Sequence, residues 1–162
     1  KQKYDDPFRN VVSIMTNLIL QNRRPIIYGD GKQTRNFSDI DDCIFCIDKL
    51  ATDKKIVSQI VNIGPDEESI TINELYKILV NKLKFNEPAK YVEDRPNEVK
   101  NATCSSDKAR KILNYKTTVT LDESIDKVIE FIKKKGPKEF EYNYELEINN
   151  DLTPKTWKNK IF

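Results

Sequence analysis

An α/β module of short strands alternating with helices is the fold class the sequence predicts, and three observations predict it. Brief apolar runs such as Pro25-Ile26-Ile27-Tyr28 recur between segments of helical apolar periodicity. Two of the helical segments open on capping boxes, Thr71-Ile72-Asn73-Glu74 and Thr120-Leu121-Asp122-Glu123. Glycine and proline stand at the joints, in Gly64-Pro65 and Gly136-Pro137.

Taken in order, residues 8–22 carry Val11, Val12, Met15, Leu18 and Ile19 at helical spacing and stop at Arg23-Arg24-Pro25. A strand over residues 25–28 runs into the turn Gly29-Asp30-Gly31. A helix over residues 39–52 places Ile40, Cys43, Ile44, Ile47, Leu50 and Ala51 on one face, which reads as its core side. Residues 59–63 read as a strand ended by Gly64-Pro65. The first capping box opens a helix with Ile72, Leu75, Tyr76, Leu79 and Leu83 on its face. Residues 89–92 form a brief strand, Ser105 or Ser106 caps a helix through Leu113, and the second capping box starts a helix to Lys135. Beyond it, Phe140, Tyr142, Tyr144, Leu146, Ile148, Trp157 and Phe162 follow no helical period. The expected organisation is a domain over residues 1–137 and an extended arm over 138–162, docked on its own domain or on a neighbour.

Composition narrows the function. Among 162 residues, 28 basic and 26 acidic side chains leave a net charge of +2, which argues against a nucleic-acid-binding surface. Lys133-Lys134-Lys135 complements the dipole at a helix end. No apolar run reaches the roughly 20 residues that span a membrane, and no signal-like segment opens the chain. With 38% hydrophobic and 33% charged residues the chain is polar for a globular domain, which suits a piece that packs against another. Cys43, Cys46 and Cys104 form no disulfide framework. Although Cys43-Ile44-Phe45-Cys46 has metal-site spacing, one further cysteine and no histidine cannot complete four ligands, so the thiols read as small apolar packing residues. Reduced thiols fit the cytosol.

The most informative stretch is Gly29-Asp30-Gly31-Lys32-Gln33-Thr34-Arg35-Asn36-Phe37. Two glycines one residue apart allow a sharp turn beside a ligand, with backbone N–H groups available to an anion. Arg35 then supplies a planar fork suited to phosphate. A second arginine stands in Arg95-Pro96-Asn97-Glu98-Val99. Two arginines on separate loops and an aromatic on a strand can hold a nucleotide diphosphate. Asp41-Asp42 could imitate a metal site, but acids favour a helix start in any case.

Four stretches in order, Asp6-Pro7-Phe8-Arg9-Asn10-Val11-Val12, residues 27–42, Val61-Asn62-Ile63-Gly64 and residues 95–115, resemble the C-terminal substrate-binding part of the NAD-dependent epimerase/dehydratase family, the extended short-chain dehydrogenases acting on nucleotide sugars. Residues 95–105 look like one bacterial and archaeal branch of its UDP-glucose 4-epimerases. Sister reactions, those of UDP-glucuronate decarboxylases and sugar-nucleotide 4,6-dehydratases, share the glycine turn and Arg35. The resemblance implies that Arg35 and Arg95 hold the diphosphate, that Tyr28 lies against the base, and that Glu98 accepts from ribose hydroxyls or orients Arg95. Gln33 and Asn62 are candidates for polar contacts. Without a ligand, Arg35 would pair with Asp30, Asp39 or Asp41, Arg95 with Glu93 or Glu98, and Tyr28 would be a half-buried strand tyrosine.

The family's NAD-binding half carries a glycine-rich G-x-x-G-x-x-G turn and its catalytic half a Tyr-x-x-x-Lys pair. Glycines at 29, 31, 64 and 136 alone cannot build the former, and no working pair of the latter kind is expected. The chain therefore reads as a fragment or split gene product, its Rossmann half supplied in cis or in trans. NAD belongs to the complete parent, and no cofactor or catalytic residue is expected in this chain alone. The expected partners are a UDP-sugar, the missing half and, for the parent, a second copy in a homodimer. No nucleic acid, membrane or metal is expected, and the localisation is cytoplasmic. The competing reading is a non-catalytic module that binds a nucleotide sugar or a protein.

Overall fold

The computed structural model describes residues 2–65 and 69–162. They divide into two compact units. The first comprises residues 1–33, 71–100 and 125–162, and the second residues 34–70 and 101–124. The elements run α1 (Val11–Leu20), β1 (Ile26–Tyr28), β2 (Thr34–Arg35), α2 (Ile40–Thr52), β3 (Ile70–Thr71), α3 (Ile72–Leu83), β4 (Lys90–Val92), β5 (Asn101–Ala102), α4 (Asp107–Leu113), α5 (Leu121–Lys135) and α6 (Lys155–Lys158). This is the α/β class expected, with short strands among helices.

In the first unit, Met15, Leu18 and Ile19 form the buried stripe of α1, which packs against α3 with its buried Leu75 and Leu79. The capping box of α3 is complete. Glu74 N–H donates to Thr71 Oγ1 at 3.1 Å, and Thr71 N–H donates to the Glu74 carboxylate at 2.7 Å. The Thr71 backbone bond lowers the Glu74 carboxyl pKa below its ordinary value. Strands β1 and β4 run parallel with Ile26 opposite Lys90 and Tyr28 opposite Val92. Lys90 N–H to Pro25 O and Gly29 N–H to Val92 O extend the ladder at either end. Ile125, Ile129 and Ile132 form the buried face of α5.

The chain beyond α5 folds back on α1. Buried Asn17 is the clasp: its amide donates to Tyr4 O at 3.0 Å and to Lys138 O at 2.8 Å, while its carbonyl accepts from Lys138 N–H at 3.0 Å. Tyr4 donates its hydroxyl to Gly136 O and meets Phe131 edge-on. Phe140 is buried against Ile14 and Leu18, with Tyr142 and Phe162 beside it. The expected extended arm contains one helical turn, α6, whose Trp157 and Lys158 amides donate to Pro154 O. Four residues are too few to register as a period in the sequence.

The core of the second unit is Cys46, Ala109, Leu113 and Tyr115, with Leu50, Ile56, Val61, Ile63 and Ile112 against it. Strand β2 pairs with β5 in parallel, Thr34 opposite Asn101. Gly64 is locked by two hydroxyls. Ser106 Oγ accepts from its N–H at 2.7 Å and donates to its carbonyl at 3.0 Å, while Tyr115 donates to that carbonyl at 2.8 Å. Ser106 is the N-cap position of α4, yet its hydroxyl is spent on Gly64 rather than on the helix.

Two expectations are corrected here. Residues 59–63 form no strand, and Ile60 is 86% exposed; Val61 and Ile63 pack as loop residues on the cluster. The expected core face of α2 holds only in part: Leu50 packs on the cluster, but Ile40, Ile44 and Ile47 are 61%, 55% and 59% exposed. The helix turns Asp42 and Cys46 inward beside Leu50. One oxygen of the buried Asp42, Oδ1, accepts from both the N–H and the hydroxyl of Thr118, while Oδ2 is buried without a hydrogen-bond partner among the described residues. Cys46 behaves as the small apolar packing residue expected, while Cys43 is half-buried. Burial pushes both thiols above their ordinary pKa. No helix among the described residues is long and apolar enough to cross a membrane.

Asn17→Ala would leave buried backbone groups at Tyr4 and Lys138 without partners. It should cost about 2–3 kcal/mol in urea denaturation and loosen the tail, read as increased quenching of Trp157 fluorescence. An unchanged midpoint would remove the clasp.

Candidate functional site

The glycine turn follows β1 in the first unit. Gly29 and Gly31 both hold left-handed backbone, at φ 60° and 71°. A Cβ on Gly29 would lie 2.0 Å from an Asp94 carboxylate oxygen, and one on Gly31 would lie 2.2 Å from the Asn73 amide oxygen. The start of α3 holds the turn in place. Asn73 N–H donates to Gly31 O at 3.0 Å, its side-chain amide to Asp30 O at 2.8 Å, and Ile72 N–H to Gln33 O at 3.1 Å. Tyr91 donates its hydroxyl to the Asn73 amide oxygen at 2.9 Å.

Two of the amides at this turn are engaged within the protein. Gly29 N–H is bonded to Val92 O, and Lys32 N–H to the Asp30 carboxylate at 3.0 Å. That last bond, with the Lys32 ammonium nearby, lowers the Asp30 carboxyl pKa. The left-handed backbone calls for glycine at both positions, and at Gly31 the Asn73 amide leaves no room for a Cβ.

Four of the six candidate residues, Tyr28, Gln33, Arg95 and Glu98, belong to the first unit. Gln33 is buried and donates its amide to Tyr28 O at 3.2 Å, so it braces the end of β1. Tyr28 is half-buried and its hydroxyl is bonded to that of Thr156. Thr156 N–H also donates to Tyr28 Oη at 3.3 Å. Arg95 sits in the loop after β4 with its guanidinium carbon over the Trp157 ring, 4.7 Å from the centroid. Neither carboxylate beside it in sequence is its partner: Glu93 pairs with Lys155, and Asp94 with Lys100 at 3.1 Å. The backbone of Glu98 donates to Arg95 O at 3.2 Å, closing the loop.

Sequence reasoning missed Thr156 and Trp157. They lie in a tail without periodicity, and nothing local marks them as neighbours of Tyr28 and Arg95.

Arg35 and Asn62 belong to the second unit. Arg35 lies on β2, half-buried, with one guanidinium nitrogen donating to Thr34 O at 2.7 Å. Asn62 is exposed. Of the acidic pair Asp41-Asp42, Asp42 holds Thr118 and Asp41 donates its N–H at 3.0 Å to Asp39, which thereby caps α2 and also accepts from the Ser124 hydroxyl at 2.6 Å.

The Tyr-x-x-x-Lys spacing does occur once, at Tyr28 and Lys32. The glycine turn intervenes instead of a helix, Lys32 pairs with Asp30 at 3.3 Å, and Tyr28 is bonded to Thr156.

Residues 1–128 match the family described as GDP-mannose 4,6 dehydratase, and the chain belongs to that family of NAD-dependent nucleotide-sugar epimerases and dehydratases. It is 35% identical over 123 residues to a candidate UDP-glucose 4-epimerase of Methanocaldococcus jannaschii, covering 76% of this chain and 39% of that protein. The UDP-glucose 4-epimerase of Thermotoga maritima, solved with UDP-glucose, superposes with a TM-score of 0.73 at 27% identity over 81% of this chain and 42% of its own. The UDP-glucuronic acid 4-epimerase of Bacillus cereus, solved with UDP-glucuronic acid and NAD, gives 0.73 at 27% identity over 78% and 40%. The chain thus spans about two fifths of the length of these relatives.

Gly31→Ala should destabilise by about 1–3 kcal/mol, because it combines left-handed strain with displacement of Asn73. Gly136→Ala, also left-handed at φ 84° but with nothing within 4 Å of its Cβ, should cost less in the same urea denaturation series. Equal costs would show that the Asn73 contact contributes nothing.

Proposed function

We propose that this chain is the substrate-gripping part of an NAD-dependent nucleotide-sugar epimerase of the UDP-glucose 4-epimerase type. Residues 1–137 hold a UDP-sugar and residues 138–162 form a C-terminal arm. The observation that carries the reading is Arg95. Among the described residues no carboxylate or carbonyl occupies its guanidinium, and its acidic neighbours Glu93 and Asp94 are paired elsewhere. An arginine kept from its own carboxylates is suited to a diphosphate.

In this reading Arg95 and Arg35 bind the diphosphate, and Tyr28 lies against the uracil. Glu98 bonds the ribose hydroxyls, and Gln33 and Asn62 make polar contacts. Anchoring the diphosphate lets the sugar be positioned while the nucleotide stays fixed. NAD, held by the other half of the parent, supplies the hydride transfer. The residues present here do not fit that cofactor, because no glycine-rich turn seats a pyrophosphate at a helix N-terminus.

The family's dinucleotide-binding half, in cis or in trans, is the partner. The exposed stripe of Ile40, Ile44 and Ile47 on α2 supports it, since this chain spans about two fifths of its relatives and three large aliphatic residues on one helix face suit an interface.

Arg35→Ala and Arg95→Ala should each weaken UDP-glucose binding by the complete parent by about 1.5–3 kcal/mol in calorimetric titration. Affinities equal to wild type would remove the diphosphate assignment. The 162-residue chain by itself should show no saturable binding of NAD, and a measurable NAD affinity would contradict the division of labour between the two halves.

A further inference from the structure

The residues that face the candidate site from the tail lie outside the stretch matched by the family, which ends at residue 128. They are nevertheless seated at several points. Thr153, Pro154 and Thr156 are buried, and Thr156 shares its hydroxyl and its N–H with Tyr28 Oη. Lys155 pairs with Glu93. Trp157 meets Phe8 edge-on, ring centroids 5.4 Å apart, and Phe8 meets Tyr142 in the same way at 5.9 Å. The turn is therefore fixed at its hydroxyl, its ammonium and its indole, and the indole lies under the guanidinium of Arg95.

From this seating we infer that Trp157 is a positioning residue: it holds Arg95 through the face of its ring and leaves the guanidinium N–H groups to an incoming diphosphate. The inference rests on the proposed role of Arg95. A cation over an indole is attracted by the ring quadrupole and gives up none of its hydrogen bonds, whereas a carboxylate in the same place would consume those donors and cancel the charge. Lys155 serves the same end by engaging Glu93, the carboxylate two residues before Arg95. Pinning a long, flexible side chain in the free protein lowers the ordering cost at binding. The class of ligand is a nucleoside diphosphate, recognised at its phosphates. Tyr28 of β1 is braced by Thr156 of the same turn.

The test is a calorimetric titration of the 162-residue chain and its variants with UDP and with uridine, which has no phosphates. Trp157→Ala should weaken UDP binding about five- to tenfold and uridine binding less than about twofold. Trp157→Phe, which keeps a ring against Phe8 but offers a weaker π face, should retain most of the UDP affinity. If the indole acts through Arg95, Arg95→Ala/Trp157→Ala should bind UDP no more weakly than Arg95→Ala. Equal losses for UDP and uridine, or additive losses in the double variant, would overturn the positioning role. Tighter UDP binding by either Trp157 variant would overturn it in the opposite sense, making the turn an obstruction. Should Trp157→Ala fail to fold, a Trp157→Phe chain that loses UDP and uridine alike decides against the inference. A wild-type chain that binds no UDP, or an Arg95→Ala variant that binds UDP like wild type, would instead strike at the underlying role of Arg95, and is seen without altering Trp157.

Discussion

The turn between β1 and β2 holds Gly29 and Gly31 in left-handed backbone, at φ 60° and 71°, and a Cβ on Gly31 would strike the Asn73 amide 2.2 Å away. That steric constraint organises the first unit. The turn stays in the left-handed region because Asn73, at the start of α3, bonds both Asp30 O and Gly31 O. Asn73 is itself held by Tyr91 of β4. One side chain thus ties together the end of β1, the N-terminus of α3 and β4, and the loop after β4 carries Arg95.

Paired charges around Arg95 matter more for what they prevent than for the energy they supply. Lys155 and Lys100 are exposed partners of exposed carboxylates, and such pairs contribute little to stability. Their effect is on availability, since Glu93 and Asp94 would otherwise compete for the nearest guanidinium. The tail belongs to the same arrangement. It is secured by the Asn17 clasp and by Phe140 in the α1 cluster, far in sequence from the turn it supports.

The second unit shows how a polar residue can displace an apolar stripe from a core. Helix α2 could have buried Ile40, Ile44 and Ile47, and periodicity favours that choice. It buries Asp42, Cys46 and Leu50 because Thr118 donates twice to one oxygen of that carboxylate and because α4 and Tyr115 complete a cluster on that side, although Asp42 Oδ2 is left buried without a hydrogen-bond partner among the described residues. Periodicity identifies the amphipathic helix without saying which of its faces meets this chain and which meets another.

Local chemistry was sufficient for much of this fold. Both capping boxes, the starts of α3 and α5, the strand before the glycine turn and the ordered motifs of the family are all determined by residues within a few positions of one another, and the sequence alone determined them. It likewise singled out Arg35, Arg95, Tyr28 and Glu98 by their place in those motifs, and their roles stand as proposals. Tertiary structure decided what depends on distant partners: the loop at residues 59–63, which packs on α4's cluster without ladder partners; the two-residue strands β2 and β5, too short to carry an alternating pattern; the inward face of α2; and the meeting of Thr156 and Trp157 with Tyr28 and Arg95. The physical reason is range. Caps, turns and helical periods arise from contacts within one or two turns of chain, whereas a buried carboxylate or an arginine over an indole exists only once chain segments far apart in sequence have been brought together.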